Sequence, residues 1–358
     1  MHMADALLSP PVAAVMYAAS AAAAGVSIAQ LHKEETLAPE QAAKKLPTMA
    51  VMSALVFAGQ MINYTIPGTG SSGHLCGGML LSAVLGPWAG FLSMIVILAI
   101  QALFFADGGL LALGANVWNM AFYGCFVGYF LIYRPLMQGR LLSNKPRARL
   151  TLASVLGCVL TLQLGALSVV VETSLSGITE LPFGAFVALM QPIHLAIGLI
   201  EGLITAAVLV FVYGTRPELL RCAPGAERAE NHFSLKATLA ILAAAALVIG
   251  GGLSLLASSN PDGLEWSLFG NAESGYSENM GLDEENYGTT SKAADTAAQV
   301  QEKTSFLPDY SFSGSDSAAG TSVSGVVGCA MVAGLAAFIC LAGKLTRKKA
   351  KTKNASAV

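Results

Sequence analysis

Long runs of apolar residues, separated by short polar stretches, set the pattern of this chain. A helix needs about 20 consecutive apolar residues to cross the hydrocarbon core of a membrane. Eight runs of 18 to 23 residues meet that length: Pro11 to Leu31, Thr48 to Ile66, Trp88 to Phe105, Gly114 to Tyr133, Leu150 to Val171, Ile193 to Tyr213, Leu235 to Ala257 and Val323 to Gly343. The pattern predicts an all-α fold, a polytopic helical membrane protein.

A ninth apolar segment, His74 to Leu85, is too short to cross the membrane as a straight helix. It must tilt, re-enter, or pack inside the bundle. We predict turns on its far side at Gly86 to Trp88, and after the next span at Ala106 to Gly109. Counting the short segment as one span, the first part has about seven spans and the second part has two.

Composition and charge agree with this interpretation. Of the 358 residues 54% are hydrophobic and only 12% are charged, with a mean hydropathy of +0.61. Soluble domains carry about 25% charged residues, so a soluble protein is excluded. The first apolar run lacks the positive start of a signal peptide, so we expect it to be retained as a span.

Basic residues predict the orientation, because short loops rich in Lys and Arg stay on the cytoplasmic side. Eighteen of the 20 Lys and Arg residues fall in four places: after the first span, at 134–149, at 216–236 and in the tail from Lys344. This predicts an outer N-terminus and a cytoplasmic C-terminus in the cell membrane. The loop "IPGTGSSGH" then lies outside.

The same pattern divides the chain into domains. We predict a transmembrane metal-binding part at 1–213, a cytoplasmic linker at 214–234, a two-span accessory part at 235–343 and a basic tail at 344–358. The accessory part encloses an outer segment, 258–322, that carries 11 of the 22 acidic residues.

Two outer histidines suggest a metal site. A free amine followed by His can chelate a metal through the amine, the deprotonated amide of residue 2 and an imidazole nitrogen, closing a five- and a six-membered ring. A further imidazole completes a tetragonal set of four nitrogens, which suits Ni(II) or Cu(II). We therefore predict a site at Met1, His2 and His74, with Met1 retained. The alternatives are a disordered terminus and a flexible glycine-rich loop that leads into a helix.

Five further polar residues could orient these ligands or line the metal's route: Cys76, Asp107, Asn116, His194 and Glu201. His194 and Glu201 share one face of a span, where ionisable groups are costly and often functional; a purely structural role stays equally open for both. Cys76 favours a small buried residue, Asp107 a turn, and Asn116 a hydrogen bond between helices.

Several motifs resemble a known family. "MHMADALLSP", "PGTGSSGHLCGGMLLSAVLGPW", "QALFFADGGLLALGAN" and "HLAIGLIEGLITAAVL" resemble the substrate-binding M component of energy-coupling-factor nickel and cobalt transporters. "NPDGLEWSLF" resembles the PDGLE motif of the N component, here fused to it. Ala6 stands where the family usually has glycine, although the acidic Asp5 beside it is kept.

The resemblance implies uptake of nickel or cobalt through the Met1, His2 and His74 site. It also implies partners, a transmembrane coupling subunit and cytoplasmic ATPases. We expect no enzyme activity and no cofactor, because the chain has neither a P-loop nor an H-E-x-x-H motif. The alternative is a membrane metal sensor or assembly factor that binds without transporting.

Overall fold

A computed structural model describes residues 1–37, 39–178, 180–223, 233–272, 282, 287–312 and 317–355. Parts of the predicted linker (224–232) and acidic segment (273–281, 283–286, 313–316), and the end of the tail (356–358), lie outside the described residues. The elements are α1 (Pro10–Leu37), α2 (Pro39–Gln60), β1 (Tyr64–Ile66), β2 (Ser71–Gly73), α3 (Gly78–Leu85), α4 (Pro87–Phe105), α5 (Leu113–Gln138), α6 (Pro146–Leu175), α7 (Phe183–Thr215), α8 (Leu235–Gly251), α9 (Gly263–Phe269), α10 (Lys292–Thr304) and α11 (Ala318–Ala355).

The predicted all-α membrane fold is confirmed. Within the described residues, six helices are long and apolar enough to cross a membrane, in α1, α4, α5, α6, α7 and α11, and α8 is a shorter apolar helix. The centre of α5 is π-helical over Val117–Tyr133. The short segment has no room to span, since α3 has eight residues and all are buried.

Two predicted spans extend beyond the ends of their helices in the structure. The run Thr48 to Ile66 is helical only to Gln60, and its last three residues form strand β1 instead. That strand pairs antiparallel with β2, Ile66 opposite Ser71. Hydropathy alone missed the hairpin, because apolar residues suit a strand as well as a helix end. Similarly, α8 stops at Gly251, six residues before the predicted end.

The two parts of the chain pack against each other along α2. Helix α11 packs on α2, α8 and α4, and α8 packs on α2. A glycine allows the close approach of α11 to α2, since Gly328 lies against the ring of Phe57; within the accessory part, Gly250 of α8 and Gly325 of α11 meet backbone to backbone. In the first part, α6 and α7 form the most extensive helix pair.

The turn after α4 shapes the end of the bundle at which the N-terminal segment lies. Ala106 (φ 55°) and Gly108 (φ 81°) both adopt left-handed backbone conformations. This conformation costs a residue with a side chain roughly 1–2 kcal/mol. The turn exposes Asp107 to the space in which the N-terminal segment lies.

Candidate metal centre

The N-terminal segment is inserted into the protein. Met1 is 4% exposed and Met3 is fully buried. Asn116 holds Met3 at both backbone groups: its Oδ1 accepts from the Met3 amide at 2.7 Å, and its Nδ2 donates to the Met3 carbonyl at 3.2 Å. The predicted helix-to-helix bond of Asn116 is thus a bond to the N-terminus.

Asp5 and its surroundings anchor the next turn. Its Oδ1 accepts from the Ala112 amide at 2.9 Å. Gly109 lies so close that a Cβ there would overlap the Asp5 carboxylate. The carbonyl of Ala6, the residue that replaces the family's glycine, accepts from the Thr289 amide at 2.7 Å. Both parts of the chain therefore hold the terminal segment.

The loop that carries His74 is held by a buried carboxylate. The amides of Cys76 and Gly77 both donate to Glu201, each at 2.9 Å. Gln60 donates to the Cys76 carbonyl at 2.8 Å. Gly77 has φ 84°, which favours glycine. Glu201 thus positions the loop from helix α7.

The three predicted ligand residues converge. The Met1 amine lies 3.4 Å from His74 Nε2. The rings of His2 and His74 are stacked, with centroids 5.2 Å apart. His74 Nδ1 donates to the Leu75 carbonyl at 3.1 Å, so the Nε2 lone pair points toward the amine.

A carboxylate from the accessory part lies beside the Met1 amine and His74. Asp262 Oδ2 lies 2.9 Å from the Met1 amine and 3.8 Å from His74 Nε2. Burial alone would raise the pKa of Asp262, but the positive charge of the Met1 amine outweighs it and holds the pKa well below its usual range. Likewise burial lowers the pKa of the amine, but Asp262 more than offsets this and the pKa is raised.

The segment bearing Asp262 is docked on the hairpin. The Ser72 amide donates to the Pro261 carbonyl at 2.8 Å, and the Ser72 hydroxyl donates to the Asn260 carbonyl at 2.8 Å. Asp262 caps α9 by accepting from its first amides, and Glu265 completes a capping box. The position of Asp262 is therefore well determined.

His2 meets a second carboxylate. Its Nδ1 donates to Asp107 at 3.0 Å, and Asp107 also accepts from the Tyr310 hydroxyl at 2.5 Å. Burial lowers the pKa of His2 to about 4, so the ring is neutral at pH 7. Its Nε2 is buried with no partner among the described residues. Asp107 is thus more than the predicted turn residue.

His194 and Cys76 line a small cavity on the inner side of the amine. It measures about 10 Å³ and is bordered by Met1, His74 and Asp262 as well. His194 Nδ1 donates to the Met190 carbonyl at 2.8 Å, and its Nε2 has no partner among the described residues. Both side chains are buried.

Sequence reasoning missed Asp262 and Tyr310. The PDGLE motif marked the segment, but no local signal connects it to a residue 261 positions away. In the described part of the chain, no three side chains of His, Cys, Asp or Glu are grouped to hold a metal. A metal here would depend on the backbone nitrogens of residues 1 and 2.

Comparison with known proteins agrees with the fold. The family model described as the cobalt uptake substrate-specific transmembrane region matches residues 2–219, and the PDGLE domain model matches residues 236–345. The class is therefore a multi-pass membrane component of transition-metal uptake. The chain belongs to the CbiM family, with a PDGLE domain in the same chain.

Individual relatives cover much of the chain. A protein of Archaeoglobus fulgidus with the provisional name fused nickel transport protein NikMN is 33% identical over 342 residues, covering 94% of this chain and 96% of the relative. The cobalt transport protein CbiM of Sorangium cellulosum is 35% identical, covering 52% and 84%. A truncated transition metal transporter of known crystal structure is 34% identical, covers 60% of this chain and 99% of its own, and has a TM-score of 0.49.

Proposed function

We propose that this chain binds nickel or cobalt at its N-terminus and supplies it to an ATP-driven uptake system. The observation that carries the proposal is the convergence of the Met1 amine, His2 and His74 at one buried point. Two nitrogens 3.4 Å apart, with the rings stacked beside them, need only small shifts to surround one ion. Among the relatives, the Archaeoglobus protein has a nickel name and the Sorangium protein a cobalt name.

The ligands would be the Met1 amine, the amide and imidazole of His2, and His74. The His2 nitrogen that closes a six-membered ring is Nδ1, which donates to Asp107 in the structure. Binding therefore exchanges two contacts: the amine leaves Asp262, and Nδ1 leaves Asp107. The charged amine and the amide must each lose one proton to the solvent, while the neutral His2 ring moves its proton from Nδ1 to Nε2, which has no partner among the described residues. Affinity should consequently increase with pH.

A planar set of four nitrogens favours nickel slightly over cobalt. Five surrounding residues would orient the site or border the metal's path: Asp107 beside His2, Asn116 at Met3, Glu201 at the loop, and Cys76 and His194 at the inner cavity.

We further propose the domain boundaries and orientation derived from the charge pattern, with residues 1–213 and 235–343 as separate parts and the N-terminus outside. The energy source would be a transmembrane coupling subunit with cytoplasmic ATPases. Helix α1 would contact the coupling subunit: only 17% of its most apolar window is buried, and it carries small residues from Ala18 to Ala22, which allow close helix contact.

The test is nickel binding to the purified full chain, compared with a version that has one extra residue before Met1. We expect one nickel per chain for the parent and a loss of more than about 100-fold in affinity for the extended form. His74→Ala should lose a similar amount. His32→Ala is the matched control, because His32 is exposed at the far end of α1, and it should bind like the parent. Parent affinity in the extended chain would refute the amino-terminal chelate.

Transport is tested separately from binding. Cells that express the chain with the ATPases and the coupling subunit should accumulate nickel, and an ATPase inactivated in its P-loop should abolish this. Nickel accumulation that does not depend on the ATPases, or no accumulation when the ATPases are active, would favour the sensor or assembly factor.

A further inference from the structure

An open cavity of about 450 Å³ lies on the outer side of His2 and His74, between the two parts of the chain. We call it the vestibule and define it by its five carboxylates: Asp5, Asp107, Asp262, Glu265 and Asp309. None of the described residues that line it is Lys or Arg. The first part contributes two of the carboxylates and the accessory part three.

A buried ring nitrogen without a partner borders this space. The His2 side chain, which lines the vestibule, is only 9% exposed, and its Nε2 has no partner among the described residues. A buried polar atom without a partner is destabilising unless something binds it. Together with the carboxylates, it points to a cationic occupant.

The sizes of the two cavities suggest which form of the cation each admits. One water needs about 10–15 Å³ of space for its centre. By that measure the vestibule, at about 450 Å³, has room for an ion with its shell of waters, whereas the inner cavity, at about 10 Å³, has room for one water at most. His74 and Asp262 border both cavities, so they mark the boundary at which water must be shed.

The carboxylates are also crowded enough to influence one another. The charge of Asp262, followed by burial, raises the pKa of Glu265 to about 7. Burial and the charge of Asp107 raise the pKa of Asp309. A dication would relieve this repulsion. The carboxylates are nonetheless too dispersed to hold a bare ion, since the described residues contain no side-chain cluster of that kind.

We propose that the vestibule collects the hydrated divalent cation and passes it to the amino-terminal site, so that the accessory part contributes directly to metal capture. This inference rests on the proposed function. The vestibule acts through its field on a hydrated ion, so it sets how fast the metal arrives. The nitrogen ligands set how tightly it stays.

The experiment measures nickel association and dissociation by stopped flow, on the full chain in nanodiscs at pH 8. The test variant combines Glu265→Gln and Asp309→Asn. Gln also completes a capping box, and Asn tolerates the left-handed backbone of Asp309 (φ 48°). The control combines Asp295→Asn and Glu302→Gln, two exposed carboxylates on α10 that do not line the vestibule.

We expect the test variant to lose about tenfold in association rate at low ionic strength, and the difference to shrink as salt is added. Its dissociation rate should match the parent's, which also shows that the site is folded. The control should associate like the parent. An unchanged association rate in the test variant, or an equal loss in the control, overturns the vestibule while leaving the nitrogen site intact. A parent chain that does not bind nickel overturns both.

Discussion

Removing the two hydrogen bonds from Asn116 to Met3 tests directly whether the buried terminus forms the metal site. We consider Asn116→Leu, which keeps most of the side-chain volume but removes both hydrogen bonds. The Met3 amide and carbonyl, bonded at 2.7 and 3.2 Å in the parent, would lose their side-chain partner. The carbonyl keeps the Gly109 amide at 2.9 Å, whereas the amide has no other partner described here.

The magnitude follows from that difference. A buried amide without a partner costs about 1–3 kcal/mol, and the lost second bond about 1 kcal/mol more. Without metal, the N-terminal segment of the variant can avoid this cost by leaving its groove. Metal binding must return the segment to the groove, which costs about 2–4 kcal/mol of binding free energy. At about 1.4 kcal/mol per factor of ten, the nickel dissociation constant should rise by at least about 30-fold.

The assay is titration calorimetry of the full chain with nickel, with Ser20→Ala as the matched control. Ser20 donates to the Gly114 carbonyl at 2.7 Å, so it bonds the same helix without touching the terminus. The control should bind like the parent and show a similar melting temperature to the Asn116→Leu chain. Parent affinity in Asn116→Leu would refute the reasoning, because the terminus would then bind metal without these hydrogen bonds.

Three other perturbations test neighbouring parts of the site. Glu201→Gln leaves one loop amide facing a donor in place of an acceptor. We expect the free energy of unfolding, measured with urea or heat, to fall by about 1–3 kcal/mol, and nickel binding to weaken. Unchanged stability would contradict this. Gly109→Ala forces Asp5 aside and should weaken nickel binding more than it lowers the melting temperature; equal binding would show that the terminus can shift freely. The pKa of Asp262 is depressed below its ordinary 3.8, so its ion pair stabilises the fold above that pH and is lost as the pH falls further. The melting temperature should therefore fall more for the parent than for Asp262→Asn between pH 6 and pH 3, and parallel curves would contradict this.

Much of the architecture could be read from local patterns. Apolar runs of membrane length predicted the spans, because a segment in hydrocarbon must satisfy its own backbone and present an apolar surface. The predicted turns at Gly86 to Trp88 and at Ala106 to Gly109 flank α4, which begins at Pro87 and ends at Phe105. The boundaries at Gln60 and Gly251 could not be read in this way, since hydropathy does not distinguish a helix end from an apolar strand or loop.

For the candidate site too, only the features that depend on local sequence could be predicted. Met1 and His2 could be selected because chelation by an amine, an amide and an imidazole depends on adjacent atoms in the sequence, and His74 because the charge pattern predicts its loop on the same side of the membrane. Asp262 and Tyr310 could not, because their importance comes only from contact with residues more than 200 positions away. The roles of Asn116 and Glu201 lay between these cases: their polarity inside apolar runs marked them, but not the backbone groups they hold.

The sequence by itself thus determined the membrane fold and most of the apolar spans, and it singled out the N-terminal residues as a candidate chelating group, because each depends on neighbours along the chain. Only the tertiary structure decided that the terminus is buried against His74, that Asp262 of the accessory part meets its amine, and that both parts line one acidic vestibule. Those features arise from packing between segments that are distant in the sequence, and such contacts produce no periodic pattern of residues from which they could be predicted.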